Sequence, residues 1–362
     1  MLKILDRYII KKFLVTFFFM LGVIMILAMV FDLAERLGDF IEKDAPVSAI
    51  LIDYYLNFLI YFGNLFSPLI VFVSVIWFTA KMAQNTEIIP MLNSGRPFRR
   101  ILRPYMIGAT ILMLISLFLN HFVLPESNKS RLNFEENYYR NIRTVSNYYA
   151  QFPGNRTVYF DSYRSDKNRA LGFVMEQRDE KGDVTSILKA KEVVNVDSTY
   201  NWKIKDYFIR YVGDPNDSII VPPQYGHTID TVLPFQLSEM AQRESVVMTM
   251  GYNELKKFIK QEKEKGSPNI ASYEIELYQR TSFPFATYVL TLIGLAVSSR
   301  KSRGGIGANI AVGLFLCFIY IFAMKVSAVA AENVGFPSYL AVWLPNIFFG
   351  ILGIILYKRA PK

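Results

Sequence analysis

The sequence predicts an α-helical membrane protein of six transmembrane helices, with an all-β domain inserted between the third and the fourth. Three observations carry that prediction. Six windows free of Asp, Glu, Lys and Arg cover 13–31, 54–80, 105–124, 281–299, 304–324 and 333–357, and the shortest of them holds 19 residues. Roughly 20 apolar residues rising ~1.5 Å each suffice to cross a ~30 Å hydrocarbon core. Between the third and fourth windows lies a polar stretch, 125–280, in which 22 basic residues balance 22 acidic ones. Finally, the net charge of +9 collects in alternate connections rather than along the chain as a whole.

Taken in order, Lys3, Arg7, Lys11 and Lys12 precede the first window. That window is longer than the ~7–15 residues of a signal-peptide core and no small-x-small cleavage pattern follows, so it reads as a retained span. The next connection, 32–53, has six acids against Arg36 and Lys43. After the second window, 81–104 carries Lys81, Arg96, Arg99, Arg100 and Arg103 with one acid, Glu87. Basic residues recur at 300–303 and after 357. This alternation is the positive-inside pattern, with both termini and 81–104 in the cytoplasm and 125–280 on the far side. The surplus therefore orients helices and does not signal nucleic-acid binding. One cysteine, Cys317, lies within a span and excludes a disulfide framework.

The expected division is 1–124 for helices one to three with a cytoplasmic loop at 81–104, 125–280 for the β-rich domain with flanking helices, and 281–362 for helices four to six. Within the domain, "LPESNKSRLNFEENYY" reads as helical. "RTVYFDSY", "ALGFVMEQ", "VTSILKAKEVVNV" and "WKIKDYFIRYV" read as strands, with "DEKGD" as a hairpin turn. Trp202 and Ile204 alternate with Lys203 and Lys205, and the phase slips near Asp206, which predicts a bulge or a strand break. Short strands at this spacing predict an antiparallel sandwich or open barrel. In "GYNELKKFIKQEKEKG" the apolar Tyr252, Leu255, Phe258 and Ile259 share one helical face, and Gly266 with Pro268 ends the helix.

No G-x-x-x-x-G-K-[ST] occurs, and "RGGIGANI" lacks the glycine spacing of a nucleotide loop. His121 and His227 stand on separate segments without H-E-x-x-H or C-x-x-C, so no metal site is predicted. The chain reads as non-catalytic and binds no cofactor of its own. Lys325 stands out because it follows 21 uncharged residues. An ammonium there either snorkels to the headgroups or faces a lipid-phosphate or substrate cavity.

The basic connection has its own logic. Residues 86–94 can form a short amphipathic helix with Thr86 as N-cap, Glu87 near its positive end, and Ile88, Ile89, Met91 and Leu92 as apolar surface. Pro90 fits a first turn, Gly95 ends the helix, and Pro97 blocks its continuation.

"LDRYIIKKF", "TEIIPMLNSGRPFRRILRP", "LPESN" and "YEIELYQRTSFPFA" together resemble the lipopolysaccharide-export permease family, the LptF/LptG type formerly called YjgP/YjgQ. The resemblance covers essentially the full chain, and Glu87, Gly95, Arg99 and Pro104 match its loop motif. Leu5-Asp6-Arg7-Tyr8 leans toward the G-type subunit. The resemblance implies a Gram-negative inner-membrane protein with a jellyroll-like periplasmic domain. It implies a homologous second permease, a dimer of cytoplasmic ABC ATPases using ATP and Mg, a periplasmic bridge protein, and lipopolysaccharide as cargo. The loop becomes the ATPase-coupling element, through Glu87, Ile88, Met91, Leu92, Gly95 and Arg99, with Glu87 meeting a basic ATPase residue. Lipid enters between the permeases along their first and fifth spans, with Arg36, Lys43 and Lys325 as candidate contacts. One departure from the family is the acidic outer end of the first span, "FDLAERLGDFIEKD", which runs against direct phosphate capture there and leaves divalent-ion bridging open. On residues alone two other readings stay open: an envelope sensor or interaction protein using its β-domain, and a permease for another lipid or for lipoprotein.

Overall fold

The computed structural model describes residues 3–87, 98–139, 144–152, 154–164, 168–196, 200–213, 216–222, 226–233, 244–264, 266–267, 269–299 and 305–359. Chain contacts divide it into two compact units, one of 1–139, 247–255 and 271–362, the other of 140–246 and 256–270.

Among the described residues the first unit holds six helices long and apolar enough to cross a membrane: α1 (Ile4–Glu42), α2 (Val47–Gln84), α3 (Arg100–Tyr138), then α5 (Ile270–Ser298), α6 (Gly305–Val334) and α7 (Ser338–Lys358). The shorter α4 (Tyr252–Glu264) precedes α5. Every uncharged window lies mainly within one of these helices. Five of the helices are longer than their windows, because charged turns continue the same backbone past the hydrocarbon boundary once they reach water; α7, with 21 residues, starts five residues inside its window, after Pro337. Two of the helices widen locally into π turns, at Ile50–Leu56 in α2 and Leu119–Val123 in α3.

Near the α2–α3 connection the core joins three spans. Ile9, Phe13 and Phe17 of α1 pack on Val75, Phe78 and Met82 of α2 and on Ile101, Tyr105 and Leu112 of α3. Lipid tails are as apolar as these side chains, so close backbone approach must supply the attraction. Gly108 of α3 supplies it here: a Cβ at that position would sit 2.5 Å from Cδ1 of Phe13. A second core joins α2, α5, α6 and α7 through Phe72, Ile76, Leu290, Ile293, Tyr320 and Phe349, and Cys317 is buried in it as a small apolar residue.

The second unit is built on one antiparallel sheet, β1 (Thr144–Phe152), β2 (Arg156–Arg164), β3 (Arg169–Arg178), β4 (Val184–Asn195), β5 (Asn201–Tyr211) and β6 (Ser218–Ile220) in that order, with β7 (Thr228–Val232) also pairing with β5. The four expected strands are present. Strands β1, β6 and β7 were not singled out in the sequence, although the Tyr- and Phe-bearing run 148–152 carried a β signal. The DEKGD turn closes β3 onto β4 with Gly182 at φ +93° and Asp179 Oδ1 accepting the amides of Lys181 and Asp183.

The phase slip at Asp206 is a kink within a continuous β5, neither a bulge nor a break. Asp206 has φ +49°, and the pairing of β4 with β5 keeps one register on both sides of it, so no extra residue is inserted. Both strands change the face they bury at this point. Leu188 and Ala190 give way to Val193 and Asn195 on β4, and Trp202 and Ile204 give way to Tyr207 and Ile209 on β5. On its other edge β5 pairs with β7 before Asp206 and with β6 after it. Of the four apolar residues expected on one face of α4, Leu255 and Ile259 are buried, Phe258 is half-buried and Tyr252 is exposed; Gly266, at φ +68°, donates to Lys263 O to end the helix. Pro268 lies outside the described residues.

Candidate coupling site and membrane cavity

The α2–α3 connection begins where α2 stops. Thr86 has φ +58°, its amide donates to Ala83 O at 3.2 Å, and the Glu87 amide reaches back to Met82 O at 2.9 Å. An N-cap residue takes extended backbone with negative φ. Thr86 is therefore the left-handed terminator of α2 and not the start of a following helix, which corrects the expected N-cap. The ambiguity is chemical, since short polar residues serve both ends of helices.

Glu87 is engaged within the chain. Tyr8 Oη donates to Glu87 Oε2 at 3.0 Å, Lys12 Nζ lies 3.4 Å from the same oxygen, and Asn85 Nδ2 donates to Oε1 at 3.3 Å. Lys12 also donates to Tyr8 Oη at 2.7 Å. Partial burial pushes the carboxyl up, but the hydrogen bonds from Asn85 and Tyr8 and the charge of Lys12 outweigh it and hold the group below the usual carboxylate range. About a quarter of the side chain, 28%, stays accessible to a further donor.

Just beyond the far side of the connection, Arg100 Nη2 lies 2.6 Å from Asp6 Oδ2, which also accepts the Lys3 amide at 2.9 Å. Asp6 is buried. Neither pairing was foreseen, because partners separated by 75 to 94 positions leave no local spacing to read. Ile88, Met91, Leu92 and Gly95 lie outside the described residues, as does the side chain of Arg99.

At the opposite end of α1 the acidic stretch is structured. Asp32 accepts from Tyr54 Oη at 2.9 Å and from Tyr55 Oη at 3.3 Å, and Tyr54 Oη lies 3.2 Å from Tyr139 Oη. The Arg36 guanidinium stacks 4.3 Å from the Tyr139 ring centroid and lies 3.4 Å from Glu35 Oε1. Lys43 is the exposed C-cap residue of α1. Among the described residues, no group of three His, Cys, Asp or Glu side chains is placed to hold a metal ion.

Lys325 lines a cavity of about 190 Å³ within the first unit, with Tyr61 and Asn64 of α2, Asn120 and Asn128 of α3, and Glu276 and Arg280 of α5. Its own side chain is exposed, so the ammonium sits at an open wall. The polar groups behind it satisfy one another. Ser116 Oγ donates to Asn64 Oδ1 at 2.7 Å, and Asn64 Nδ2 donates to Asn120 Oδ1 at 3.3 Å. Arg280 is buried and donates to Met250 O at 2.7 Å and Val247 O at 3.0 Å, strapping residues 247–250 to α5. Arg280 was not singled out in the sequence. Its signal was an arginine entering an apolar span one helical turn after Glu276, which lies 3.3 Å from its Nε.

Six spans, an inserted antiparallel sheet and a polar cavity inside the bundle describe a multi-pass membrane transport subunit. The family model of the lipopolysaccharide export system permease LptF/LptG matches residues 7–359, nearly the whole chain, and the chain belongs to that family. No curated protein matches the sequence. Membership makes the chain a permease of lipopolysaccharide export, a multi-pass protein of the inner membrane.

Proposed function

We propose that this permease is the membrane part of an ATP-driven lipid extractor, working with a homologous six-span permease, two copies of a cytoplasmic ABC ATPase and a periplasmic bridge protein. The observation that carries the reading is uneven burial. The apolar windows of α1 and α6 are each only 17% buried, against 33% to 61% for the other four spans. Phe18, Phe19 and Phe31 on α1 and Phe315, Phe318 and Phe322 on α6 stand exposed. Two weakly packed spans are the surfaces on which a second permease and a lipid between them would close, and Lys325 on α6 brings a cation to that surface. Arg36 and Lys43 are further contacts, Arg36 already braced by Tyr139.

In this reading, the 81–104 connection faces the cytoplasm and the 125–280 block faces the periplasm, as the charge alternation supports. Ile88, Met91 and Leu92 dock the connection on the ATPase, with Glu87, Gly95 and Arg99 completing the contact. ATP and Mg belong to the ATPase. Its closure moves the connection and collapses the lipid cavity, which requires that the contact favour one permease conformation over the other. Purification in mild detergent followed by mass spectrometry of co-purifying proteins and lipids tests this. Recovery of an ABC ATPase, a second six-span permease and lipopolysaccharide is expected. Stable isolation with none of them overturns it.

A further inference from the structure

The two contacts that bracket the α2–α3 connection have something in common: both land on α1. We infer that the two ends of the connection clasp the first span, so that displacement of the connection is delivered to α1 through Asp6–Arg100 and through Glu87–Tyr8/Lys12. The inference rests on the export reading above and names the element that the ATPase moves.

The geometry distinguishes a clasp from a hinge. At about 100° per residue, Tyr8 and Lys12 share one side of α1, while Asp6 lies roughly 120–160° around the helix from them. One arm, Glu87 at the end of α2, holds the first side at 3.0 Å and 3.4 Å. The other arm, Arg100 at the start of α3, holds the second side at 2.6 Å. A single ion pair leaves a helix free to pivot about it. Two contacts on different sides, offset along the axis, transmit rotation as well as pull.

The rest of α1 is packed most densely beside the clasp. Its buried residues are Asp6, Ile9, Phe13, Phe17, Met25 and Phe40, so four of the six fall within its first fourteen residues. At the far end Phe40 packs with Tyr54 and Phe134, and Asp32 accepts from Tyr54 and Tyr55, so α1 is held there too and is loosest between Phe17 and Asp32. Apolar packing, with Phe13 against Gly108, seats this end of α1 on α2 and α3. The charged contacts add a hold from each end of the connection, on two sides of the helix. Asp6, Arg100, Tyr8 and Lys12 are thus positioning residues for transport.

The test uses the complete complex reconstituted in lipopolysaccharide-containing vesicles and reads lipid released per ATP hydrolysed. Arg100→Gln opens one arm. Asp6→Arg with Arg100→Asp restores the pair with its charges exchanged. Asp6→Cys with Arg100→Cys, joined by a short bifunctional thiol reagent, closes the arm covalently, and buried Cys317 stays in place. Arg100→Gln is expected to lower lipid released per ATP at least about fivefold, the lower end of ordinary coupling free energies, while hydrolysis continues. The exchange is expected to recover most of that loss, and the tethered complex to keep coupling near wild type. Unchanged coupling in Arg100→Gln, or loss of coupling on tethering, overturns the clasp. Should Arg100→Gln fail to assemble, the tethered complex decides alone. A wild-type complex that binds no ATPase or releases no lipid sinks the export reading. Normal wild-type export alongside unaffected Arg100→Gln coupling sinks only the clasp.

Discussion

Gly108→Ala asks whether the junction of α1 and α3 is as tight as its geometry says, and two opposed effects decide the sign. Replacing a helical glycine by alanine removes backbone freedom from the unfolded chain and favours the helix by about 0.5–1 kcal/mol. Against this, the new methyl would sit 2.5 Å from Phe13 Cδ1 and 3.0 Å from Cε1. The ring cannot swing aside. Phe13 is fully buried, with its centroid 5.7 Å from that of Phe78 and 6.5 Å from that of Tyr105. Overpacking of this kind costs about 1–3 kcal/mol, so the clash wins and the net loss is on the order of 0.5–2 kcal/mol. Gly38 is the matched control, since a Cβ there meets nothing within 4 Å, and Gly38→Ala should be neutral or stabilising. Thermal unfolding of the detergent-purified chain should show Gly108→Ala falling by at least about 2 °C while Gly38→Ala holds or rises. Adding Phe13→Leu should recover part of the loss, as contacting sites are non-additive. Equal melting of the two alanine variants would refute the tight junction.

Three further outcomes follow from other parts of the molecule. Arg280→Met takes the guanidinium donor from Met250 O and from Val247 O, the latter keeping only the Met250 amide; bonds to a buried charged donor are worth about 1.5–3 kcal/mol each, so amide exchange in 247–252 should speed up at least tenfold, and unchanged protection would refute the strap. Asp206→Val should destabilise the sheet by about 1–2 kcal/mol because a β-branched residue resists φ +49°, whereas Asp206→Gly should cost less despite losing the 2.5 Å bond from the Gly226 amide; equal effects in denaturant melts would contradict the strained kink. Glu87 is more acidic folded than its ordinary value of 4.5, so its contribution is complete above 4.5 and disappears as pH falls through the lowered folded value. Carboxylate infrared difference spectra of wild type against Glu87→Gln should place the titration below 4.5, and a midpoint above it would contradict the bonds from Tyr8 and Asn85.

The membrane architecture was legible because the hydrocarbon core imposes a length and a charge rule that composition displays directly. Strands β2 to β5 were legible from alternation, and the irregularity at Asp206 left its mark as a lost phase, although it is a kink in a continuous strand and not the bulge or break expected. What escaped was long-range or ambiguous. The π turns leave no spacing signature, and the bonds of Asp32 to Tyr54 and Tyr55 join a span to its neighbour across a connection that reads as plain acidic loop. Thr86 misled because the same short polar side chain ends one helix as readily as it begins another. At the candidate coupling site the sequence marked Glu87 as a carboxylate in search of a cation. It could not reveal that Lys12 and Tyr8 of the same chain already stand beside it.

The central claim is that an ATP-hydrolysing partner drives this permease by holding the α2–α3 connection. A photo-activated crosslinking residue placed in turn at 88, 91 and 92, in cells that depend on this chain for lipopolysaccharide export, tests it most directly. The account predicts a covalent adduct with an ABC ATPase from at least one of these positions. Export-competent cells in which none of the three captures a nucleotide-hydrolysing protein would contradict it.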